Sequence, residues 1–384
     1  MEVVVGGRRR ARRSYGFDEV ALVPGPLVID ARDVDISWTL GGKRFEIPIL
    51  AAALDGAVNP QMAVRMSELG GLAVLNLDGL QSRYEDAEAA LRSIAEHSGE
   101  GIIHYIQELY AAAPIRPDLI RKRVREIKDA GATCAVSAAP HTAQKAAEAA
   151  VEAGADLFVV QSTVGAVRFE SSAIAEFPVA EFCKNAPIPV VVGNTVGYAA
   201  TYELMEAGAA GILVGVGPGH ICTSRKVLGI GVPQITATAD CAAARDDYFE
   251  RTGRYVPVIT DGGLRNGGDI AKAIAAGADA VMLGSTIAAA AEAPAPGYSW
   301  GMATSSAELP RGTRIKVGIS GTLKEILFGP AHRDDGTMNL VGALRLAMGS
   351  LGAHNLKEMQ QVEMMIAPSL PTEGKSLQRA QGVG

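Results

Sequence analysis

Eight short apolar runs, each followed by helix-compatible sequence, predict a parallel α/β fold of the (β/α)8 or TIM-barrel class. The runs occupy residues 49–54, 72–75, 132–136, 156–160, 189–193, 210–214, 257–260 and 279–283. Four of them follow an Ala-Gly-Ala signature, centred on Gly131, Gly154, Gly208 and Gly277. No GxGxxG turn follows the first run, which favours the closed barrel over a doubly wound sheet.

Each element has a local reason. In the signature, glycine supplies the left-handed cap that stops a helix, and the small flanking residues permit a short loop into the next strand. Polar residues then gather just after the runs, where barrel enzymes build their sites. Asp55 follows the first run, Gln161-Ser162-Thr163 the fourth and Gly193-Asn194-Thr195 the fifth. Asp261-Gly262-Gly263 follow the seventh and Gly284-Ser285 the eighth, the usual place for a phosphate in this fold. The run at 101–105 fits either a ninth strand or part of the region after the second strand.

The expected organisation is a single domain over residues 1–384. An N-terminal arm and lead-in (1–47) precede the barrel core (48–293). A Gly/Ser/Thr/Pro-rich stretch (294–316) is long enough to act as a mobile flap. A C-terminal helical region (317–367), with the tail from 342 to 365 broken at Gly349 and Gly352, leads to a flexible end (368–384).

A hydrophobic content of 48% in 384 residues supports a large core. A net charge of −6 and a pI near 5.6 argue against nucleic acid as partner, and no apolar stretch is long enough to span a bilayer. Arg8, Arg9, Arg10, Arg12 and Arg13 lack a following apolar stretch, so they read as a solvated arm rather than a signal peptide. Four cysteines without CxxC spacing read as reduced thiols of a cytoplasmic protein. Cys134, Cys183 and Cys241 have no motif around them and read as structural.

Cys222 is different. It lies in Gly-Val-Gly-Pro-Gly-His-Ile-Cys-Thr-Ser-Arg, residues 215–225, directly after the sixth run, with Pro233-Gln234 within reach. A thiol on a glycine-rich turn at a strand end, with backbone N–H groups able to face a ligand, points to covalent chemistry on a phosphorylated substrate.

Residues 215–225, with Gly-Val-Pro-Gln at 231–234, resemble the active-site signature of the IMP dehydrogenase / GMP reductase family. So do Tyr-Gly-Phe-Asp-Glu-Val-Ala-Leu-Val-Pro at 15–24, Pro-Ile-Leu-Ala-Ala-Ala-Leu-Asp at 48–55, Gly-Asp-Ile-Ala-Lys at 268–272, Val-Met-Leu-Gly-Ser at 281–285 and Gly301-Met302. The resemblance implies that Cys222 attacks C2 of IMP, hydride passes to NAD, and water hydrolyses the adduct to XMP. It implies that Asp261 holds the ribose, that Gly263, Gly284 and Ser285 hold the 5′-phosphate, and that Gly301 and Met302 meet the purine edge. Ser162, Thr163, Gly215 and Gly217 match the nicotinamide side, with Asn194 close by on the substrate. Carbonyls of Gly217, Gly219 and Cys222 match a potassium-binding loop, and family members form tetramers.

Several positions depart from the family. Residues 76–101 are too few to hold the pair of regulatory CBS modules usually inserted there, so control through them is not expected. The family activates water with a flap Arg-Tyr pair, and none lies between 294 and 316. Arg311 and Arg314 are the flap arginines available as base or substitute; both equally read as solvated charges. Arg83-Tyr84 and Arg254-Tyr255 lie outside the flap and read as surface residues. Ser224 stands at a threonine that assists water activation, and His220 at a serine that meets the phosphate. Gln161 replaces an acidic residue at the NAD ribose, Ala52 and Leu54 replace a serine and a methionine beside the nucleotide, and Val317 replaces a purine-reading Gln or Glu. Three functions therefore compete: an IMP dehydrogenase; a GMP reductase using NADPH, with Glu308 as its carboxylate; and a purine-nucleotide-binding barrel with a regulatory role. The tail at 349–358 favours the dehydrogenase.

Overall fold

A computed structural model describes residues 2–97, 100–170, 177–301, 313–367 and 375–381. Eight parallel strands close into a barrel in sequential order. They are β1 (Ile49–Ala51), β2 (Leu72–Asn76), β3 (Ala135–Ala138), β4 (Leu157–Gln161), β5 (Val190–Thr195), β6 (Gly211–Val214), β7 (Val258–Asp261) and β8 (Ala280–Leu283). Closure is made by β8 against β1, with Val281, Met282 and Leu283 opposite Ile49, Leu50 and Ala51. All eight expected runs thus become barrel strands. Their residues are buried on both faces, which is why they read as continuous apolar runs rather than alternating ones.

The helix stops work as expected. Gly131, Gly154, Gly208 and Gly277 all have positive φ, between 78° and 109°. At Gly277 the need is also steric, since a Cβ would fall 2.4 Å from that of Ala242. Helix starts use equally plain devices. Pro60, Pro117 and Pro140 each open a helix, and the Asn59 side chain accepts the Met62 N–H at 2.8 Å.

Beneath the barrel, Trp38–Leu40 and Lys43–Phe45 form a hairpin that plugs the N-terminal mouth. Its turn residue Gly41 (φ 58°) leaves no room for a side chain, because a Cβ would sit 2.7 Å from Pro189 and 2.9 Å from Leu157.

Of the two expectations for residues 101–105, the structure takes the second, the region after β2: Gly101, with positive φ, precedes a helix over Ile102–Ala112, which pairs with the helix Ala87–Glu96. The apolar residues of 102–112 seal a second, smaller core with Leu80, Ala295 and Trp300. The tail helix Leu340–Ser350 runs straight through Gly349, which stays because a Cβ there would lie 2.5 Å from the Ile29 carbonyl. Met364–Ile366 is a strand paired antiparallel with Val20–Leu22, so the chain's two ends clasp each other. Ser376–Ala380, expected to be frayed, is a short helix. The basic arm is a hairpin of Glu2–Val5 with Arg9–Arg12, tied down by Arg12 on Asp240 at 2.9 Å.

Tyr298–Ser299 pairs with Ile315–Lys316, so the two roots of the expected flap run side by side. Arg311, Met302 and Glu308 lie outside the described residues. Among the described residues, no helix is long and apolar enough to cross a membrane.

Candidate active site

A cleft of about 660 Å³ opens at the C-terminal ends of the strands. This is within the size range of small-molecule sites, roughly 300–1,000 Å³. Cys222, Ser224, Asn194, His220, Asp261, Gly263, Gly284, Ser285, Gly301, Ser162, Thr163, Gly215, Gly217 and Gly219 all line it. The loops after β4, β5, β6, β7 and β8 therefore bring these residues together from across the chain.

The nucleophile turn leaves β6 at Val214 and is shaped by Gly215 and Gly217, both with positive φ. Cys222 N–H donates to the Gly219 carbonyl at 3.0 Å, which closes the turn on itself. The thiol is half-buried, and its Sγ lies 3.3 Å from Ser224 Oγ at the start of the one-turn helix Ser224–Val227. A Cβ at Gly215 would come within 2.3 Å of the Asp261 carbonyl, so only glycine lets the β6 and β7 loops approach this closely.

Asp261, the last residue of β7, faces the cleft. Its Oδ2 accepts hydrogen bonds from Asn194 Nδ2 at 2.8 Å and Gln161 Nε2 at 3.1 Å. Desolvation pushes the carboxyl up to about 6, and the Asn194 amide pulls it back. Gln161 also contacts Asn194 Oδ1 at 3.2 Å, so three strand ends share one polar cluster.

Gln234 is a positioning residue whose part the sequence did not reveal. Its Nε2 lies 3.1 Å from the Val214 carbonyl, 2.9 Å from that of Asp261 and 3.2 Å from that of Gly262. One buried amide thus pins the cysteine turn to the aspartate turn. The signal was present in the Pro233-Gln234 pair, but which carbonyls it meets depends on the barrel.

Other residues marked in the sequence take these positions. Arg314 stands outside the cleft: its guanidinium donates to the carbonyls of Ile94 and His97 and stacks on Tyr298 at 4.7 Å. Those bonds fix the second flap root. Asp55 turns away from the cleft into a buried network with Asn76, Leu80 and Tyr110. Arg83 is not a free surface residue; it lines the cleft and donates to the carbonyls of Asp78, Tyr110 and Ala113 at 2.6–3.0 Å. Arg254 donates to the carbonyls of Met205, Gly208 and Ala209, and Tyr255 to Asp279. Val317 is outside the cleft lining and packs on the core. Cys134 and Cys241 are buried, with thiols pushed up to about 12, and the half-buried Cys183 thiol is pushed up to about 11.

The residues present fit the groups the family implies. Ser162, Thr163, Gly215 and Gly217 border the same cleft as Cys222, so they would face a nicotinamide bound there. Gly217, Gly219 and Cys222 offer neutral carbonyl oxygens, the donor type that potassium takes.

Fold and cleft together define a (β/α)8 barrel enzyme with a cysteine turn at its C-terminal mouth. The chain belongs to the IMP dehydrogenase / GMP reductase domain family, whose model matches residues 14–373. An uncharacterized oxidoreductase of Mycolicibacterium smegmatis is 40% identical, with 95% of this chain and 99% of that protein covered. The inosine-5′-monophosphate dehydrogenase of Methanocaldococcus jannaschii is 28% identical over 94% of each. A crystal structure of an IMP dehydrogenase/GMP reductase-like protein from Corynebacterium glutamicum matches with a TM-score of 0.90 and 34% identity, covering 95% of this chain and 98% of that one. The family and these relatives support an oxidoreductase.

Proposed function

We propose that the protein is an IMP dehydrogenase that oxidises IMP to XMP with NAD through a covalent adduct on Cys222. One observation carries this reading: the nucleophile turn, the Asp261 cluster and the glycine turns after β7 and β8 converge on one cleft. The Cys222 thiol gives up its proton to solvent as Sγ adds to C2 of the purine, and the hydrogen on C2 leaves with its electron pair. When bound, NAD is the acceptor of that hydride. Water then adds at C2 and the C–S bond breaks, which restores the thiol and yields XMP. Asp261 holds the ribose hydroxyls, oriented by Asn194 and Gln161. Gly263, Gly284 and Ser285 receive the phosphate, with His220 exposed at the rim. The Ser224 hydroxyl, 3.3 Å from Cys222 Sγ, stands within reach of the adduct. A potassium ion on the carbonyls of Gly217, Gly219 and Cys222 would stiffen the turn.

One observation favours a second reading, GMP reductase. The described flap arginine, Arg314, is engaged by carbonyls, and reductive loss of ammonia from GMP needs no activated water. Purified protein is incubated with IMP plus NAD and with GMP plus NADPH while reduced-nicotinamide absorbance is followed. NADH growth with XMP formation supports the dehydrogenase, and NADPH loss with GMP supports the reductase. Silence in both with IMP still bound leaves a binding barrel. Cys222→Ala abolishes either turnover; retained activity would overturn the mechanism.

A further inference from the structure

A buried polar chain runs from the barrel to the wall of the cleft. Asp55, just past β1, accepts the Leu80 N–H at 2.7 Å, the Asn76 amide at 2.9 Å and the Tyr110 hydroxyl at 2.6 Å. Tyr110 in turn accepts the Trp300 indole N–H at 3.3 Å. Asp55, Asn76, Tyr110 and Trp300 are all buried. Two glycines make the arrangement possible. A Cβ at Gly79 would lie 2.0 Å from Asp55 Oδ1, and one at Gly56 would lie 2.9 Å from the Trp300 ring.

The far end of this chain stops one residue short of the cleft wall. Trp300 precedes Gly301, which lines the cleft, and a Cβ at Gly301 would lie 3.2 Å from Ile221 Cδ1. Ile221 is the neighbour of Cys222. A buried carboxylate adds little to stability over an apolar residue of the same shape. Here two donors, Asn76 and Leu80, come from the end of β2 and the turn after it, and the third, Tyr110, comes from the helix 102–112 and carries the network on to Trp300 at the first flap root.

We infer that Tyr110 is a positioning residue for the nucleotide site: through Trp300 it holds Gly301 against Ile221 and so sets the cleft wall beside Cys222. The identity of the nucleotide rests on the dehydrogenase reading; the geometry does not. Tyr110 belongs to the helix 102–112, which packs on the helix Ala87–Glu96. The small helical pair therefore has a task at the active site.

The test is a double-variant cycle in the full chain with Tyr110→Phe and Trp300→Phe. Each single variant raises the KM for IMP about tenfold, leaves the KM for NAD within about twofold, and the double is no worse than the poorer single. Effects that multiply in the double, or equal rises for both substrates, overturn the inference. If the wild type does not turn over IMP, the dehydrogenase reading has failed, and the cycle is followed by hydrogen exchange of the amides of 295–301. Faster exchange there, equal in both singles and in the double, supports the positioning role. Unchanged exchange in both singles refutes it. Should one variant not fold, the other carries the same two readouts.

Discussion

Replacing Asp261 by Asn exchanges a carboxylate for an amide of the same shape at the mouth of β7. The amide Oδ1 can take the place of Oδ2, so the hydrogen bonds from Asn194 at 2.8 Å and Gln161 at 3.1 Å survive. What disappears is a charge held in a poorly hydrated place. The carboxyl is pushed from 3.8 to about 6 by desolvation. A carboxyl whose folded-state pKa exceeds its unfolded one binds its proton more tightly in the native protein. Native stability therefore falls as pH rises through that window and is level above it. A shift of this size corresponds to about 3 kcal/mol, and hydration from the open cleft reduces it to the order of 1–3 kcal/mol. Asp261→Asn is thus expected to be more stable than wild type by that amount at about pH 8, the gap closing as pH falls to about 4. Urea unfolding at both pH values measures it, and nucleoside binding is expected to weaken at least about tenfold because the amide offers one acceptor fewer to the ribose. Equal stabilities at the higher pH, or a gap that persists at the lower one, would refute the reasoning.

Three further outcomes are expected. Brief alkylation of the native protein labels Cys222 first, because the Cys134 and Cys241 thiols are buried and pushed up to about 12; peptide mapping that finds either labelled first contradicts the burial argument. Gly193→Ala places a Cβ 2.5 Å from that of Leu213, and a loss of about 1–3 kcal/mol by urea unfolding is expected, with no change counting against the packing. Arg314→Ala lowers thermal stability through its lost bonds to Ile94 and His97 but leaves the shape of the pH–rate profile intact; loss of the alkaline limb would return Arg314 to the list of bases.

The barrel was legible because its signals are local. Each strand is a short apolar run, and each Ala-Gly-Ala stop needs only a positive φ at its glycine. The candidate site was legible for a related reason: cleft residues follow strand ends, so order along the chain sets place around the rim. Residues 101–105 stayed open between two readings because a short apolar run does not declare its period, and partners of the helix they begin lie far along the chain at 295 and 300. Met364–Ile366 misled because its strand exists only through pairing with Val20–Leu22.

The cysteine turn shows where the division falls. Sequence alone determined that Cys222 stands on a glycine turn after the sixth strand, since glycine spacing and apolar runs are properties of neighbouring residues. Tertiary structure decided which side chains serve that turn. Gln234 reaches across to three carbonyls, Arg314 is drawn away to two others, and Asp55 turns from the cleft to meet Tyr110. A hydrogen bond is settled by distance and direction between atoms, and for residues far apart in the chain only the closed barrel fixes either.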